Sequence, residues 1–351
     1  MPDISVPRAL PGGLAAPVVA VLTAIALVAL PATAIGEVPS AGASLCFGRV
    51  PTITGSGGIQ GTPGDDVIVG SAGPDRIDGG GGDDRICSLA GNDRVSGGPG
   101  NDSIATGAGD DLAAGDLFID RGDAVGQGDD LLILGEGDDR AAGDNSATAG
   151  DAFGGGDDRM DGGPGDDLMT GDSAADTGNA FGAGDDVLKG GAGADRLVGD
   201  SFALLNAVGS GGDDLLDLGA DGGFAAVGDN YSVSRGRTAA GSGDDRIIGG
   251  AADETLIGDN SGDHVTTAGN DVITGHRGRD TIFGDNTDVA RAASNGTAGG
   301  RDLLVAGPGD DVVRAGPGDD RIDGGADRDL CDGEAGTRDR AERCETSPGI
   351  P

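Results

Sequence analysis

Single aliphatic residues recur every nine positions near the start of the repetitive part of the chain, mostly between polar or small neighbours. Ile68, Ile77, Ile86, Val95 and Ile104 hold these positions. This pattern predicts short strands whose middle side chain points into a core, because successive side chains on a strand face opposite sides. A fixed period also predicts that each repeat is one structural unit stacked on the next. The chain is therefore expected to form a β-solenoid.

Glycines and an aspartate fill the interval between these strands. The aspartate stands two positions before each aliphatic residue, and a glycine stands two positions before the aspartate. Glycine permits positive φ and close approach of backbones, so the turn can point carbonyl oxygens at a cation while the aspartate supplies a carboxylate. Ligands that are all oxygen, in flexible turns, favour calcium over magnesium, zinc or copper.

The same aspartate recurs along most of the chain. It gives twenty predicted metal ligands: Asp66, Asp75, Asp84, Asp93, Asp102, Asp111, Asp130, Asp139, Asp158, Asp167, Asp186, Asp195, Asp214, Asp245, Asp271, Asp280, Asp302, Asp311, Asp320 and Asp329. In Asp310-Asp311 and Asp319-Asp320, we assign the second carboxylate to the ion and the first to solvent or turn geometry.

Residues 79–87 and 97–105 closely match the nine-position pattern Gly-Gly-x-Gly-x-Asp-x-hydrophobic-x. In this pattern the chain resembles the repeats-in-toxin (RTX) family, the hemolysin-type calcium-binding repeats, over about residues 60 to 333. The resemblance implies an all-β fold, a right-handed parallel β-roll, with several calcium ions as cofactors. Glu254 lengthens one ligand, and the repeat at Gly223, which lacks a carboxylate, is predicted to be degenerate.

Beyond Asp111 the intervals alternate between 9 and 19 residues, so that a period of 28 emerges. The longer intervals contain spacers of 8 to 13 residues, which open with Gly-Asp and usually continue with Asn or Ser. The favoured interpretation is a two-sided roll with two nonapeptides per coil, from which the spacers bulge as loops; a third, irregular face is the alternative. The Gly-Asp opening either adds a ligand or forms an Asx-turn, and the turn is slightly favoured.

The net charge of −38 and the 2% aromatic content are typical of disordered chains, which is the alternative to a solenoid. The regular placement of aliphatic residues favours the folded state. About ten divalent ions would cancel roughly half of this charge, and without them like charges in adjacent turns would repel. We therefore expect the mature chain to be largely unfolded in chelator.

The N-terminal region is typical of an exported protein. An apolar run from Leu14 to Leu30 follows Arg8 and precedes Ala32-Thr33-Ala34, which predicts a signal peptide cleaved near Ile35; an uncleaved anchor is the alternative. The expected location is secreted or extracellular, with no membrane span in the mature chain.

An even number of cysteines in an exported chain favours disulfides, and we predict Cys46–Cys87 and Cys331–Cys344. A zinc site is the competing interpretation, but no Cys-x-x-Cys occurs. Both bridges would hold terminal caps, which solenoids need. Phe47 and Val50 are expected to cover the apolar face of the first coil, and the segment after Cys331 to cross the last one.

These features divide the chain into segments. They are a signal peptide at 1–34, an N-terminal cap at 35–60, regular nonapeptide calcium repeats at 61–114, 28-residue repeats with inserted loops at 115–296, regular calcium repeats at 297–332, and a C-terminal cap and tail at 333–351.

No catalytic signature is found: there is no His-Glu-x-x-His and no Gly-x-Ser-x-Gly, and the acidic pairs occupy turn positions. His264 and His276 are predicted to be surface residues. The expected function is that of a calcium-stabilised structural, adhesive or surface-associated protein, with a carbohydrate-active extracellular enzyme as the alternative. Calcium and cell-surface or matrix components are the expected partners, whereas the acidic surface disfavours nucleic acid.

Overall fold

The structure is a computed structural model that describes residues 45–291 and 293–350. The predicted signal peptide and the first ten residues of the predicted N-terminal cap lie outside this part of the chain. Within it, the regular elements are β-strands that pair in parallel, and none of the described residues forms a helix long and apolar enough to cross a membrane.

Two long parallel sheets form the roll. The first long sheet contains Ile53–Thr54, Val67–Val69, Arg85–Ala90, Ser103–Ala108, Leu131–Glu136, Arg159–Pro164, Val187–Ala192, Leu215–Asp217, Arg246–Ile248, Val272–Thr274, Leu303–Pro308, Arg321–Ala326 and Arg340–Glu342. The second long sheet contains Gly58–Gln60, Arg76–Asp78, Arg94–Ser96, Leu112–Ala114, Arg140–Ala142, Leu168–Thr170, Arg196–Val198, Ala225–Val227, Thr255–Ile257, Thr281–Phe283, Val312–Arg314 and Leu330–Asp332.

The core is a column of single aliphatic side chains from each sheet. On the first long sheet, Ile68 lies beside Ile86 and Ile86 beside Ile104, so the predicted strand positions share one register. All three side chains are fully buried. Because every second strand of the chain belongs to the same sheet in this region, one coil is two nonapeptides, as predicted. The parallel β-roll expected from the repeat is therefore confirmed.

The first five spacers also form sheets, so the preferred interpretation of the spacers as loops is wrong for these five. The first spacer sheet contains Phe118–Ile119, Ser146–Ala147, Ala174–Ala175, Phe202–Ala203 and Tyr231–Ser232. The second spacer sheet contains Ala124–Val125, Ala152–Phe153, Ala180–Phe181, Ala207–Val208 and Ala239–Ala240. The alternative interpretation, a third face, is nearer to the observed structure. It also differs from it, because each of these spacers supplies two short strands, one to each spacer sheet.

Alanine makes the two spacer sheets possible. Ala147, Ala152, Ala175 and Ala180 are nearly or fully buried in one cluster, and so small a side chain lets short strands pack closely. The spacers also cover part of the second long sheet: the guanidinium of Arg94 lies 3.8 Å from the centre of the Phe118 ring. The polar side chain of Arg94 thus packs against a spacer.

Both predicted disulfides are present, Cys46–Cys87 and Cys331–Cys344. The C-terminal bridge behaves as expected: Cys331 is in the core, and Ile350 packs against that core. The N-terminal bridge differs from the prediction. Cys46 and Phe47 pack with Cys87 in a separate cluster on the outer face of the first long sheet, and Val50 is 74% exposed. The prediction that Phe47 and Val50 cover the first coil is therefore wrong.

Candidate metal centres

The predicted ligand aspartates form two columns, one at each edge of the roll. The first ladder precedes the strands of the first long sheet and contains Asp66, Asp84, Asp102, Asp130, Asp158, Asp186, Asp214, Asp245, Asp271, Asp302 and Asp320. The second ladder precedes the strands of the second long sheet and contains Asp75, Asp93, Asp111, Asp139, Asp167, Asp195, Asp280, Asp311 and Asp329. All twenty are at most 7% exposed.

One oxygen of each carboxylate joins neighbouring coils. The backbone N–H of Asp102 donates to Oδ1 of Asp130 at 2.6 Å, and that of Asp130 donates to Oδ1 of Asp158 at 2.7 Å. In the second ladder, the N–H of Asp139 donates to Oδ1 of Asp167 at 2.9 Å. The sequence pattern indicated a ligand here, but it did not reveal this second, structural use of the same side chain.

The other oxygen is buried without a hydrogen-bond donor in eighteen of the twenty aspartates. They are Asp84, Asp93, Asp102, Asp111, Asp130, Asp139, Asp158, Asp167, Asp186, Asp195, Asp214, Asp245, Asp271, Asp280, Asp302, Asp311, Asp320 and Asp329. An unpaired charged oxygen away from water is costly unless a cation or a donor compensates it. This row of orphaned oxygens is what a column of bound cations would satisfy.

Main-chain carbonyls lie beside these oxygens. A Cβ placed on Gly162 would be less than 3.0 Å from both Oδ2 of Asp167 and the carbonyl oxygen of Gly190. A Cβ on Gly275 would meet Oδ2 of Asp280 and the carbonyl oxygen of Ala306 in the same way. Glycine thus keeps open a space that a carboxylate and a carbonyl border together. Such oxygen donors fit calcium.

Burial also shifts the acidity of these groups in the protein alone. Burial raises the pKa of Asp102 to about 8 and that of Asp280 to about 8, although a backbone hydrogen bond to each opposes the shift. Burial raises the pKa of Asp139 to about 7. The fold therefore disfavours the ionised carboxylates, and a divalent cation is the species that would restore them at neutral pH.

The first two aspartates are different. Oδ2 of Asp66 accepts hydrogen bonds from the backbone and hydroxyl of Thr62, both at 2.8 Å, and Oδ2 of Asp75 accepts the corresponding bonds from Ser71 at 2.6 and 2.9 Å. Burial raises the pKa of Asp66, but the bonds from Thr62 and Thr52 lower it further, so the net shift is downward. Asp66 and Asp75 are thus stabilised by hydroxyl groups, and their assignment as metal ligands has the least structural support.

The ladders extend beyond the predicted ligands. The N–H of Asp320 donates to Oδ1 of Asp339 at 3.1 Å, and the N–H of Asp329 donates to Oε2 of Glu345 at 2.6 Å. Both positions were missed because the nine-residue spacing ends at Asp329; a hydrophobic residue two positions after Asp339 was the remaining signal. Glu254 takes a place in the second ladder, where it accepts from Gly223 at 3.1 Å. Gly223 itself contributes no carboxylate.

The first carboxylate of each pair plays the role expected of it. Asp310 is exposed, and its Oδ1 accepts from the backbone N–H of Arg328 at 3.1 Å. Asp319 accepts from the Thr337 hydroxyl at 3.2 Å. These residues shape the turns from the outside. His264 and His276 are both exposed, as predicted.

The aspartates that open the spacers form a third buried column. We call them the neck aspartates: Asp116, Asp144, Asp172, Asp200, Asp229, Asp259 and Asp285. Each is at most 1% exposed and has at least one oxygen without a donor. They are stacked directly, since the N–H of Asp144 donates to the carbonyl of Asp172 at 3.0 Å and the N–H of Asp172 to that of Asp200 at 2.9 Å.

The favoured Asx-turn interpretation of these residues is wrong. An Asx-turn uses the backbone N–H two residues later, but the N–H of Ser146 donates to Leu117 and that of Ala174 donates to Asn145. The following asparagine has the structural task instead. Nδ2 of Asn145 donates to the carbonyls of Gly126 and Phe153, at 2.9 and 2.8 Å, and so ties the two ends of the spacer together.

The described chain is thus a parallel β-roll with buried columns of carboxylates along its edges. The family described as RTX calcium-binding nonapeptide repeat matches residues 60–95, 88–121, 125–148, 154–178, 182–203, 239–265, 265–288 and 297–337, which together cover more than half of the chain. The chain belongs to this family and is a calcium-binding β-roll protein. No curated protein and no solved structure matches it significantly.

Proposed function

We propose that the protein is an exported β-roll that folds when it meets extracellular calcium and then serves a structural, adhesive or surface-associated role. The observation that carries this proposal is the row of eighteen buried ladder oxygens without a donor. Each of these carboxylate oxygens is buried away from water and accepts no hydrogen bond from the protein. Stability of the roll should therefore depend on cations bound between its coils.

Extracellular export is supported by chemistry at both ends of the chain. Two disulfides form most readily in an oxidising compartment, and the apolar run before Ala32-Thr33-Ala34 has the pattern of a cleaved signal. Extracellular calcium modules typically bind with dissociation constants of about 10⁻⁴ to 10⁻³ M. Calcium outside the cell would then fold the chain after export. Fractionation of producing cells, with an antibody to the roll, tests the location.

A calcium titration of the mature chain, residues 35–351, tests the proposal. At pH 8, circular dichroism should show little strand signal in metal-stripped buffer and a strong one after calcium addition, and calorimetry should count several ions per chain. Magnesium at the same concentration is the control and should be much less effective. A strand signal that is unchanged across the calcium titration would contradict calcium-driven folding.

We also propose that the chain acts through its surface rather than as a catalyst. Light scattering with and without calcium separates two forms of this role, since a structural protein should self-associate in calcium whereas an adhesin should stay dispersed until its ligand is added. Turnover of a glycoside or polysaccharide by the purified calcium-loaded chain would contradict the absence of catalysis.

A further inference from the structure

The neck aspartates lie directly beside the first ladder. Carboxylate oxygens of Asp144, Asp158 and Asp172 are all within 4.8 Å of one another, and each residue is at most 1% exposed. Asp158 belongs to the first ladder. The other two are neck aspartates: Asp144 opens the spacer before Asp158 in the chain, and Asp172 opens the spacer after it. Three ionised carboxylates this close would repel strongly in a buried site unless a cation lay among them.

Each of the three carboxylates has an oxygen committed to the fold and an oxygen left over. Oδ1 of Asp158 accepts from the N–H of Asp130 at 2.7 Å, and Oδ1 of Asp144 accepts from the N–H of Gly128 at 3.0 Å. Oδ1 of Asp172 accepts from the N–H of Gly156 at 3.3 Å. In all three residues Oδ2 is buried and has no donor. The unpartnered oxygens therefore point to a ligand that accepts electron pairs.

A main-chain carbonyl completes the oxygen set. A Cβ on Gly143 would lie less than 3.0 Å from both Oδ2 of Asp158 and the carbonyl oxygen of Gly171. The same arrangement recurs one coil later, where a Cβ on Gly171 would meet Oδ2 of Asp186 and the carbonyl oxygen of Gly199. The pairing of a ladder carboxylate with a main-chain carbonyl beside a glycine is thus repeated in successive coils.

We propose that the neck aspartates and the first ladder together form a distinct, tighter class of divalent-cation site, in which three carboxylates and a carbonyl surround one calcium ion. Asp144, Asp158 and Asp172 make the best-defined member. Each neck aspartate between two coils serves two successive ions, so the sites are linked along the spacer region. The second ladder has no neck aspartates, and its sites keep fewer carboxylates and bind more weakly, because the number of charged ligands tunes calcium affinity.

This inference rests on the proposed calcium-driven function and adds to it the order in which calcium occupies the sites at the two edges of the roll. The edge that carries the spacers binds calcium first, and the opposite edge fills at higher concentration. The spacers, which depart from the plain nonapeptide pattern, then serve to hold the additional carboxylates. Their asparagines, such as Asn145, close the spacer and keep the neck aspartate beside the ladder.

The test is calorimetric calcium titration of the mature chain and of Asp172→Asn. The wild-type chain should show two classes of site that differ by about tenfold or more in dissociation constant. Asp172→Asn keeps the shape and the acceptor for Gly156, but it removes a charge shared by two sites. It should weaken about two ions of the tight class by about tenfold or more and leave the weak class unchanged.

Asp151→Asn is the matched control, because it makes the same charge change in a neighbouring spacer. Asn179 already occupies the equivalent position one coil later, and its backbone N–H donates to Asp151 at 2.8 Å. This variant should titrate like the wild-type chain. Circular dichroism of each variant in saturating calcium shows that the roll has formed and separates loss of a site from loss of the fold.

The outcomes distinguish the two proposals. If the wild-type chain binds no calcium, the proposed function fails and the inference fails with it. If it binds calcium in one class only, or if folded Asp172→Asn titrates like Asp151→Asn, calcium-driven folding survives and the tighter class of site is overturned. If Asp172→Asn fails to fold in saturating calcium, Asp144→Asn provides the same measurement one coil earlier, and a wild-type titration there overturns the inference.

Discussion

At the scale of single residues, aspartate is selected in the ladders because its two oxygens have separate tasks. Oδ1 of Asp167 accepts from the backbone of the preceding coil, while Oδ2 faces a site without a donor. Asparagine could do the first task but not the second, because its amide nitrogen has no free electron pair for a cation. The neighbouring Asp166 is exposed, and its Oδ1 accepts from the N–H of Ala194 at 2.8 Å.

Replacement of these two neighbours should therefore have different effects. Asp167→Asn should remove at least one calcium ion from the stoichiometry and destabilise the calcium-loaded roll by about 2 to 3 kcal/mol, the stabilisation that a ligand provides at about 100 times its dissociation constant. Asp166→Asn, with the same change of charge, should keep the full stoichiometry. Calorimetry and urea unfolding in calcium measure both effects, and equal losses in the two variants would contradict the assignment of the second carboxylate.

At the scale of elements, the turns depend on glycines that leave room for oxygens. The space beside Gly143 is bordered by Asp158 and by the carbonyl of Gly171, whereas a Cβ on Gly73 would meet no atom within 4 Å. A comparison of the two positions therefore distinguishes two reasons for glycine: the lack of room for a side chain at position 143, and backbone flexibility alone at position 73. Gly143 opens a spacer beside the first ladder, and Gly73 stands two positions before Asp75 of the second ladder.

Gly143→Ala should be damaging and Gly73→Ala tolerated. The new methyl group at position 143 would displace the carboxylate or the carbonyl, and we expect a loss of about 3 kcal/mol in stability together with weaker calcium binding. At position 73 the methyl group has space, and the expected change is within about 1 kcal/mol, in the stabilising direction if the backbone suits alanine. Thermal unfolding in calcium compares the two variants. A Gly143→Ala variant as stable as the wild-type chain would contradict the need for open space between Asp158 and the carbonyl of Gly171.

The nonapeptides could be predicted from the sequence and the spacers could not, for a physical reason. Ile86 and Asp84 repeat at a fixed interval with glycines, so strand, turn and ligand follow from one pattern. The spacer strands are two residues long, which is too short for a period of two to be visible. Their alanines, such as Ala152 and Ala180, become a recognisable core only when 28-residue coils lie in register.

At the scale of the whole molecule, the negative charge of the chain is not only on its surface. The ladders and the neck column place carboxylates inside the fold, and the neck column runs beside the first ladder only. Net charge and spacing predicted calcium dependence, but composition could not show that one edge carries two columns and the other edge one. That asymmetry arises from the places where the spacers leave and rejoin the roll.

This burial predicts an unusual response to pH in the absence of metal. Burial raises the pKa of Asp84 to about 6, of Asp102 to about 8 and of Asp130 to about 9, from an ordinary value of 3.8. A raised pKa in the folded state means that the folded chain binds more protons than the unfolded chain. The stabilisation that these carboxyl groups give to the metal-free roll is therefore fully present below about pH 4 and is lost as the pH rises through their folded-state pKa values, towards about 9.

Metal-stripped protein should consequently show strand signal at pH 5, lose it at pH 8, and recover it at pH 8 when calcium is added. Calcium itself should bind more tightly at pH 8 than at pH 5, because the ion competes with protons for the same oxygens. Circular dichroism at both pH values, with and without calcium, measures the full cycle. A metal-free strand signal that rises with pH, or that is the same at both values, would contradict a roll whose buried carboxylates need either protons or cations.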